Sequence, residues 1–181
     1  MSIRTGLLGL GSNVGDRRAQ LQSAVDALPE IGVHVLVCSS VYDTDPVGDL
    51  PDQASFLNAC ALIETALEPL ALLNAVKGLE LTLGRQAGGP RHGPRSIDID
   101  ILLLGDVELS HERMTLPHEQ LLSRRFVLIP ALELDFGLRT PAGESLAGAL
   151  AMLPMDGGEG VRWDGPPLRL QSASQREAKT P

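Results

Sequence analysis

Residues 45–55, DPVGDLPDQAS, place two prolines, a glycine and three aspartates between two stretches of strand character. Such a segment cannot form the crossover helix that a parallel strand pair requires. The strand that follows it, Phe56 to about Glu64, is therefore expected to run antiparallel to the one before. That earlier strand begins with the alternation Val33, Val35, Val37 and is expected to continue to about Thr44.

The flanks extend this pair into a longer pattern. Ile3 to Leu10 is a short apolar run ending in Gly-Ser-Asn, and reads as a first strand. Asp16 is placed as an N-cap. Leu21, Ala24, Val25 and Leu28 then recur at helical spacing until Pro29 stops the helix. Pro69 opens a second helix with Leu72, Leu73, Val76, Leu79 and Leu83 on its buried side and Gly84 at its end. A Gly/Pro/Arg loop over 86–96 leads into a strand, Ile97 to Leu104. The order β-α-β-β-α-β predicts an α+β, ferredoxin-like core with helices on one face of an antiparallel sheet. A short hairpin near Val107–Leu116 and helices near Phe126–Leu134 and Glu144–Leu153 complete one domain over residues 1–153. Residues 154–181 hold 4 Pro and 4 Gly in 28 positions, which predicts a partly disordered tail, with Val161–Trp163 as a small edge strand.

Composition narrows the function. Aromatic residues make up only 3% of the chain, so the core must come from Leu, Val, Ile and Ala. The formal net charge of −8 argues against a general nucleic-acid or anionic-membrane binder. No apolar run reaches membrane-spanning length, and the first residues lack a secretory pattern, so a cytoplasmic protein is expected. Cys38 and Cys60 are then expected to be buried thiols rather than a disulfide. Against this acidic background, residues 85–125 carry six arginines and six acids, while the rest of the chain carries the whole negative balance. Arginine concentrated in one segment of an acidic protein points to a local anion site.

Within that segment lies Ile97-Asp98-Ile99-Asp100-Ile101. Strand alternation puts both aspartates on the face opposite the isoleucines, with Cα atoms about 6–7 Å apart. Paired carboxylates repel unless a cation sits between them, and hard oxygen donors with open positions suit Mg²⁺. Arg85, Arg91 and Arg95 can bring anionic groups to the same edge. Metal, arginine and polyphosphate belong together in phosphoryl transfer. A second constellation, Arg113-Met114-Thr115-Leu116-Pro117-His118 with the later Arg124, could line a phosphate or ribose pocket, although a lone His near Pro is more often structural. In a third, Phe56 and Asn58 share a strand face, where a flat heterocycle could stack on the ring while the amide reads its polar edge. Gly9, Gly11 and Gly15 follow a strand as in a dinucleotide-binding turn, but their GxGxxxG spacing departs from the fingerprint. No GxxxxGK[ST] occurs, and the chain has only two lysines, Lys77 and Lys179.

HGPRSIDIDILL (His92 to Leu103) resembles the signature of the 6-hydroxymethyl-7,8-dihydropterin pyrophosphokinase family of folate synthesis. The likeness continues through LGLGSNVGDR, YDTDPVG, FLNA, LELTLGR, RMTLPH and RRFVLIPALEL, over roughly residues 3–153. It implies a ferredoxin-like transferase that moves the pyrophosphoryl group of ATP to the pterin hydroxymethyl and releases AMP. By this resemblance Asp98 and Asp100 hold two Mg²⁺, and Arg85 and Arg95 clamp phosphates as catalytic residues. Glu80, Ile101, Arg113, Thr115, His118 and Arg124 match ATP-site positions. Thr44, Val47, Phe56, Asn58 and Phe126 match the pterin pocket, with the two phenylalanines stacking on either side of the ring. The implied partners are ATP and the pterin, with no nucleic acid and no membrane, and a monomer is expected. The chain departs from the family at Ala87, His92 and Glu119, which bears on closure of the 86–96 loop; Arg91 is a candidate replacement for the arginine missing at 87. Two other readings compete: a non-catalytic ferredoxin-like nucleotide- or pterin-binding module, and an oxidoreductase using the glycine turn.

Overall fold

The computed structural model describes residues 2–46, 53–85, 94–154 and 160–170. The chain runs β1 (Arg4–Ser12), α1 (Arg17–Ala27), β2 (Val33–Cys38), β3 (Val41–Thr44), β4 (Phe56–Thr65), α2 (Pro69–Thr82), β5 (Asp98–Leu104), β6 (Leu109–His111), β7 (Met114–Leu116), α3 (Arg125–Leu134), α4 (Leu146–Met152) and β8 (Val161–Gly165). Six strands form one sheet in the order β5-β1-β4-β3-β8, with β2 also paired to β4. Every pairing is antiparallel, as the turn-rich link requires, and this is the ferredoxin-like arrangement.

The local signals explain most of these elements. The Asp16 side chain accepts from the Ala19 amide at 3.0 Å and caps α1. Pro29 does end α1, but the chain goes straight on into a 3₁₀ turn over Leu28–Ile31, which closes at Gly32 with φ of 80°. Proline fits there because the first turn of a helix needs no amide from it. Pro69 opens α2, and Gly84 follows it at φ of 91°.

One expected strand is two. The run from Val33 to Thr44 breaks at Ser39-Ser40, because serine side chains offer the backbone other partners. Ser39 Oγ accepts from the Cys60 amide at 2.9 Å. The Ser40 amide and hydroxyl both donate to the Glu133 carboxylate of α3, at 3.0 and 2.7 Å, and the Tyr42 hydroxyl donates to it at 2.9 Å. Glu133 thus ties α3 to the bent edge of the sheet.

The sheet divides two apolar layers. On one side Leu8, Leu10, Ile99 and Ile101 pack with Leu21, Val25, Leu72 and Val76 of α1 and α2. On the other, Leu7, Cys60, Leu102 and Leu103 pack with Val127, Leu128 and Leu146 of α3 and α4. The expectation of helices on one face therefore holds for α1 and α2 alone, and the C-terminal helices cover the second face. Cys38 and Cys60 are buried free thiols, as expected. Among the described residues no helix is long and apolar enough to cross a membrane.

The described part of the 154–181 stretch is folded against the domain. β8 extends the sheet alongside β3, and Leu168 is buried in the first apolar layer. Arg162 donates to Asp43 at 3.0 Å and to Asp45 at 2.5 Å. From the other side Arg17 donates to Asp43 at 3.0 Å and to the Ser55 carbonyl at 2.9 Å. Burial by itself would raise the Asp43 carboxyl, but bonds from Arg162, Ser55 and Arg17 outweigh it and hold the group below its usual range. A carboxyl lowered on folding contributes stability that is complete above its unfolded value and lost as pH falls through the folded one. In urea titrations, Asp43→Asn is expected to be less stable than the parent at neutral pH and to converge with it as pH falls below the usual carboxylate range. Equal stability of the two from neutral pH downwards would contradict this role for Asp43.

Candidate functional site

The central strand carries no side chains where the site needs room. In β1, Leu8 and Leu10 point into the α1/α2 layer, while Gly9 and Gly11 fall on the opposite face. Gly11 pairs with Asn58 on one side and Asp98 on the other, and Gly9 pairs with Cys60 and Asp100. Two rows therefore run across the sheet, Asn58-Gly11-Asp98 and Cys60-Gly9-Asp100. At about 4.8 Å between strands, Asn58 and Asp98 stand roughly 10 Å apart with an open floor between them. A Cβ at Gly11 would lie 2.9 Å from Asn58 Oδ1, and one at Gly9 would lie 3.3 Å from the Leu102 side chain. These glycines are strand residues that leave a face clear. They do not form a dinucleotide-binding turn, and this overturns the structural premise of the oxidoreductase reading.

Over that floor lies a cavity of about 310 Å³. Thr44, Phe56, Asn58 and Phe126 line one end, with Arg95, Asp98, Asp100, His118 and Arg124 completing the wall. Asn58 Nδ2 donates to the Thr44 hydroxyl at 2.6 Å, which fixes the amide with its oxygen towards Gly11. Asp45, Glu119 and Gln120 line the same cavity. His118 is held by its own backbone, donating to the Leu102 carbonyl at 3.0 Å, while its Nδ1 accepts from the Gln120 amide at 3.1 Å.

The carboxylate end is an ion cluster. Arg85 donates to Asp98 Oδ1 at 2.6 Å and also to Glu80, and Arg95 donates to Asp98 Oδ2. Glu80, only 1% exposed, also accepts from the Ile99 amide at 2.6 Å and from Lys77 Nζ at 2.7 Å. Lys77 Nζ lies 3.6 Å from Asp98 and 3.7 Å from Asp100. Burial would raise Asp98, but Lys77, Arg95 and Arg85 prevail and hold it below the usual carboxylate range. For Asp100 the enclosing walls come first and the neighbouring Asp98 charge second. Its carboxyl stays raised although its side chain is 45% open. Burial likewise raises Glu80, against the pull of Lys77. Asp98 and Asp100 thus present hard oxygen donors, with like charges in close company, to one open cleft. No third His, Cys, Asp or Glu joins them in a metal-binding group among the described residues.

The remaining sequence candidates fall elsewhere. Ile101 is buried in the α1/α2 layer, as strand alternation demands. Arg113 lies beyond the cavity and donates to Asn74 at 2.7 Å, and Thr115 donates to Glu119 at 3.4 Å. Val47, Ala87, Arg91 and His92 lie outside the described residues. Sequence reasoning missed Lys77, whose only signal was its i, i+3 spacing to Glu80 on α2. It also missed Asn13, which clips the end of β1 to the start of β5. Its Oδ1 accepts from the Arg95 amide at 2.7 Å, and its own amide donates to the Arg95 carbonyl at 3.1 Å.

A profile of the family described as 7,8-dihydro-6-hydroxymethylpterin-pyrophosphokinase matches residues 7–136. The 2-amino-4-hydroxy-6-hydroxymethyldihydropteridine pyrophosphokinase of Pseudomonas aeruginosa is 41% identical over 153 residues, covering 83% of this chain and 92% of its own. The enzyme of the same name from Methylorubrum extorquens is 44% identical over 155 residues, covering 85% and 96%. Among solved structures, Plasmodium falciparum HPPK-DHPS wild type with STZ-DHP superposes with a TM-score of 0.65 at 13% identity. That match covers 83% of this chain and 43% of the Plasmodium chain, so the likeness is one of fold over less than half of a longer protein. The sequence matches carry the assignment: this chain belongs to the 7,8-dihydro-6-hydroxymethylpterin-pyrophosphokinase family.

Proposed function

We propose that the chain transfers the pyrophosphoryl group of ATP to the hydroxymethyl group of 6-hydroxymethyl-7,8-dihydropterin, releasing AMP, as a step of folate synthesis. The observation that carries this reading is the open row Asn58-Gly11-Asp98, which sets a slot for a flat ring beside a charged cluster on one sheet face. Phe56 and Phe126 both line the slot and would stack on the ring, while Asn58, held by Thr44, reads its polar edge. A ring seated there directs its hydroxymethyl across Gly11 towards Asp98 and Asp100. Arg95 and Arg124 line the same cavity, and Arg85 reaches Asp98 from the end of α2. These guanidiniums would bind the triphosphate and draw charge from the transferred group.

Asp98 and Asp100 fit Mg²⁺: two hard carboxylates side by side, one still open, while the nearby Glu80 carboxylate is taken up by Lys77, Arg85 and the Ile99 amide. The bound cations would neutralise phosphate charge and lower the pKa of the attacking hydroxyl. Arg85 and Arg95 occupy the Asp98 oxygens, and a bound triphosphate would offer both guanidiniums another anionic partner, leaving that carboxylate free to hold a cation. Fixing both reactants in one cleft supplies the proximity that such a transfer needs.

An assay for AMP released from ATP, Mg²⁺ and the pterin tests this reading directly, and AMP that forms only when all three are present is the expected result. Asp98→Ala and Asp100→Ala are each expected to lower turnover by about two or more orders of magnitude, with circular dichroism showing the fold retained. Near-parental rates in either variant would remove the metal role. Phe126→Ala is expected to weaken pterin affinity, read by equilibrium titration, far more than ATP affinity, and equal weakening of both would contradict the stacking role.

A further inference from the structure

Lys77 has no part in the reading above, yet two anchors fix its charge within the cluster. It projects from α2 one turn before Glu80, donating to Glu80 Oε1 at 2.7 Å and to the Ile99 carbonyl at 2.9 Å. Those bonds leave its ammonium nearly equidistant from the two aspartates, 3.6 Å from Asp98 Oδ1 and 3.7 Å from Asp100 Oδ1. Its side chain is 36% exposed, and its charge sits against the two aspartates that line the cleft.

The charges of this cluster balance. Lys77, Arg85 and Arg95 stand against Glu80, Asp98 and Asp100, three cations to three carboxylates. A divalent ion entering alone leaves the site net positive, and Lys77 cannot withdraw without giving up both of its anchors. A divalent ion arriving with a triphosphate brings its own compensating negative charge.

We propose that Lys77 is a built-in counter-ion of the twin aspartates that keeps divalent affinity low in the nucleotide-free protein, so that metal is taken up together with nucleotide. This rests on the metal reading of Asp98 and Asp100 given above. Lys77 acts through those carboxylates, so it is a positioning residue rather than a catalytic one. Its neutral replacement raises the pull of the aspartates on any free divalent ion.

The test is a Mn²⁺ titration of the full chain without nucleotide, with free Mn²⁺ read by electron paramagnetic resonance. Lys77→Met and Lys77→Gln are expected to bind Mn²⁺ at least about tenfold more tightly than the parent, a change in the range of one neighbouring charge. The glutamine keeps a donor for Glu80 or Ile99, so it serves if the methionine variant fails to fold. Lys77→Arg, which retains the charge, is expected to stay within about threefold of the parent. Neutral variants that bind Mn²⁺ no more tightly than the parent would overturn the counter-ion role. So would an arginine variant that tightens as much as the neutral ones, since packing rather than charge would then be responsible. Parallel titrations with a non-transferable ATP analogue separate this from the parent reading. If Mn²⁺ binding there is lost in Asp98→Ala and Asp100→Ala while the neutral Lys77 variants bind nucleotide-free Mn²⁺ no more tightly than the parent, only the counter-ion role fails. If those aspartate variants bind undiminished, the metal reading fails and the counter-ion role with it.

Discussion

The site depends on the register of three strands. β1 sits between β4 and β5, and its glycines come opposite Asn58 and Asp98, then opposite Cys60 and Asp100. A shift of one residue in the β1–β5 pairing would turn Asp98 and Asp100 into the apolar layer and bring Ile99 and Ile101 into the cleft, and the same slip of β4 would turn Asn58 away from it. Burial of Ile99 and Ile101 on one face therefore enforces exposure of the aspartates on the other. The core that stabilises the fold and the geometry that positions the chemistry are the same constraint seen from two sides of one sheet.

The carboxylates are held by charge as well as by register. Glu80 is nearly inaccessible and accepts from Lys77, Arg85 and the Ile99 amide, so it connects the end of α2 to the strand that carries both aspartates. A buried carboxylate on this scale is costly unless its acceptors are filled, and here they are. Asn13 makes the corresponding clip at the other corner, between the end of β1 and Arg95. On the far side of the slot, Glu133 ties the helix that bears Phe126 to the strand that bears Thr44. Each wall of the cleft thus has a polar strut to a neighbouring element, while the floor between them stays bare.

Much of this was legible in the sequence. The turn-rich 45–55 link gave the antiparallel pair, and Val/Leu/Ile periodicity gave the two core helices, because both are local signals. Asp98 and Asp100 followed from strand alternation alone, and Phe56 and Asn58 from sharing a face. The break at Ser39-Ser40 was not visible, because it depends on Glu133, 93 residues away. Lys77 escaped notice for the same reason: an amphipathic helix does not announce which strand its polar residues will meet. Gly9 and Gly11 show in the sequence only as an imperfect dinucleotide-turn pattern, and their strand role is not legible there because it depends on what stands opposite them. The edge strand β8 was legible at Val161–Trp163, whereas the packing of Leu168 onto the domain lay hidden in a Pro/Gly-rich stretch whose composition pointed the other way.

The central claim is that a ring slot and a divalent-phosphate centre share one sheet face across Gly11. A crystal structure of the full chain with Mn²⁺, a non-transferable ATP analogue and the pterin, recorded with anomalous data, tests it most directly. The account predicts anomalous peaks within coordination distance, about 2.0–2.3 Å, of Asp98 and Asp100 oxygens, with the pterin ring between Phe56 and Phe126. Peaks remote from both aspartates, or a ring bound outside that slot, would contradict it.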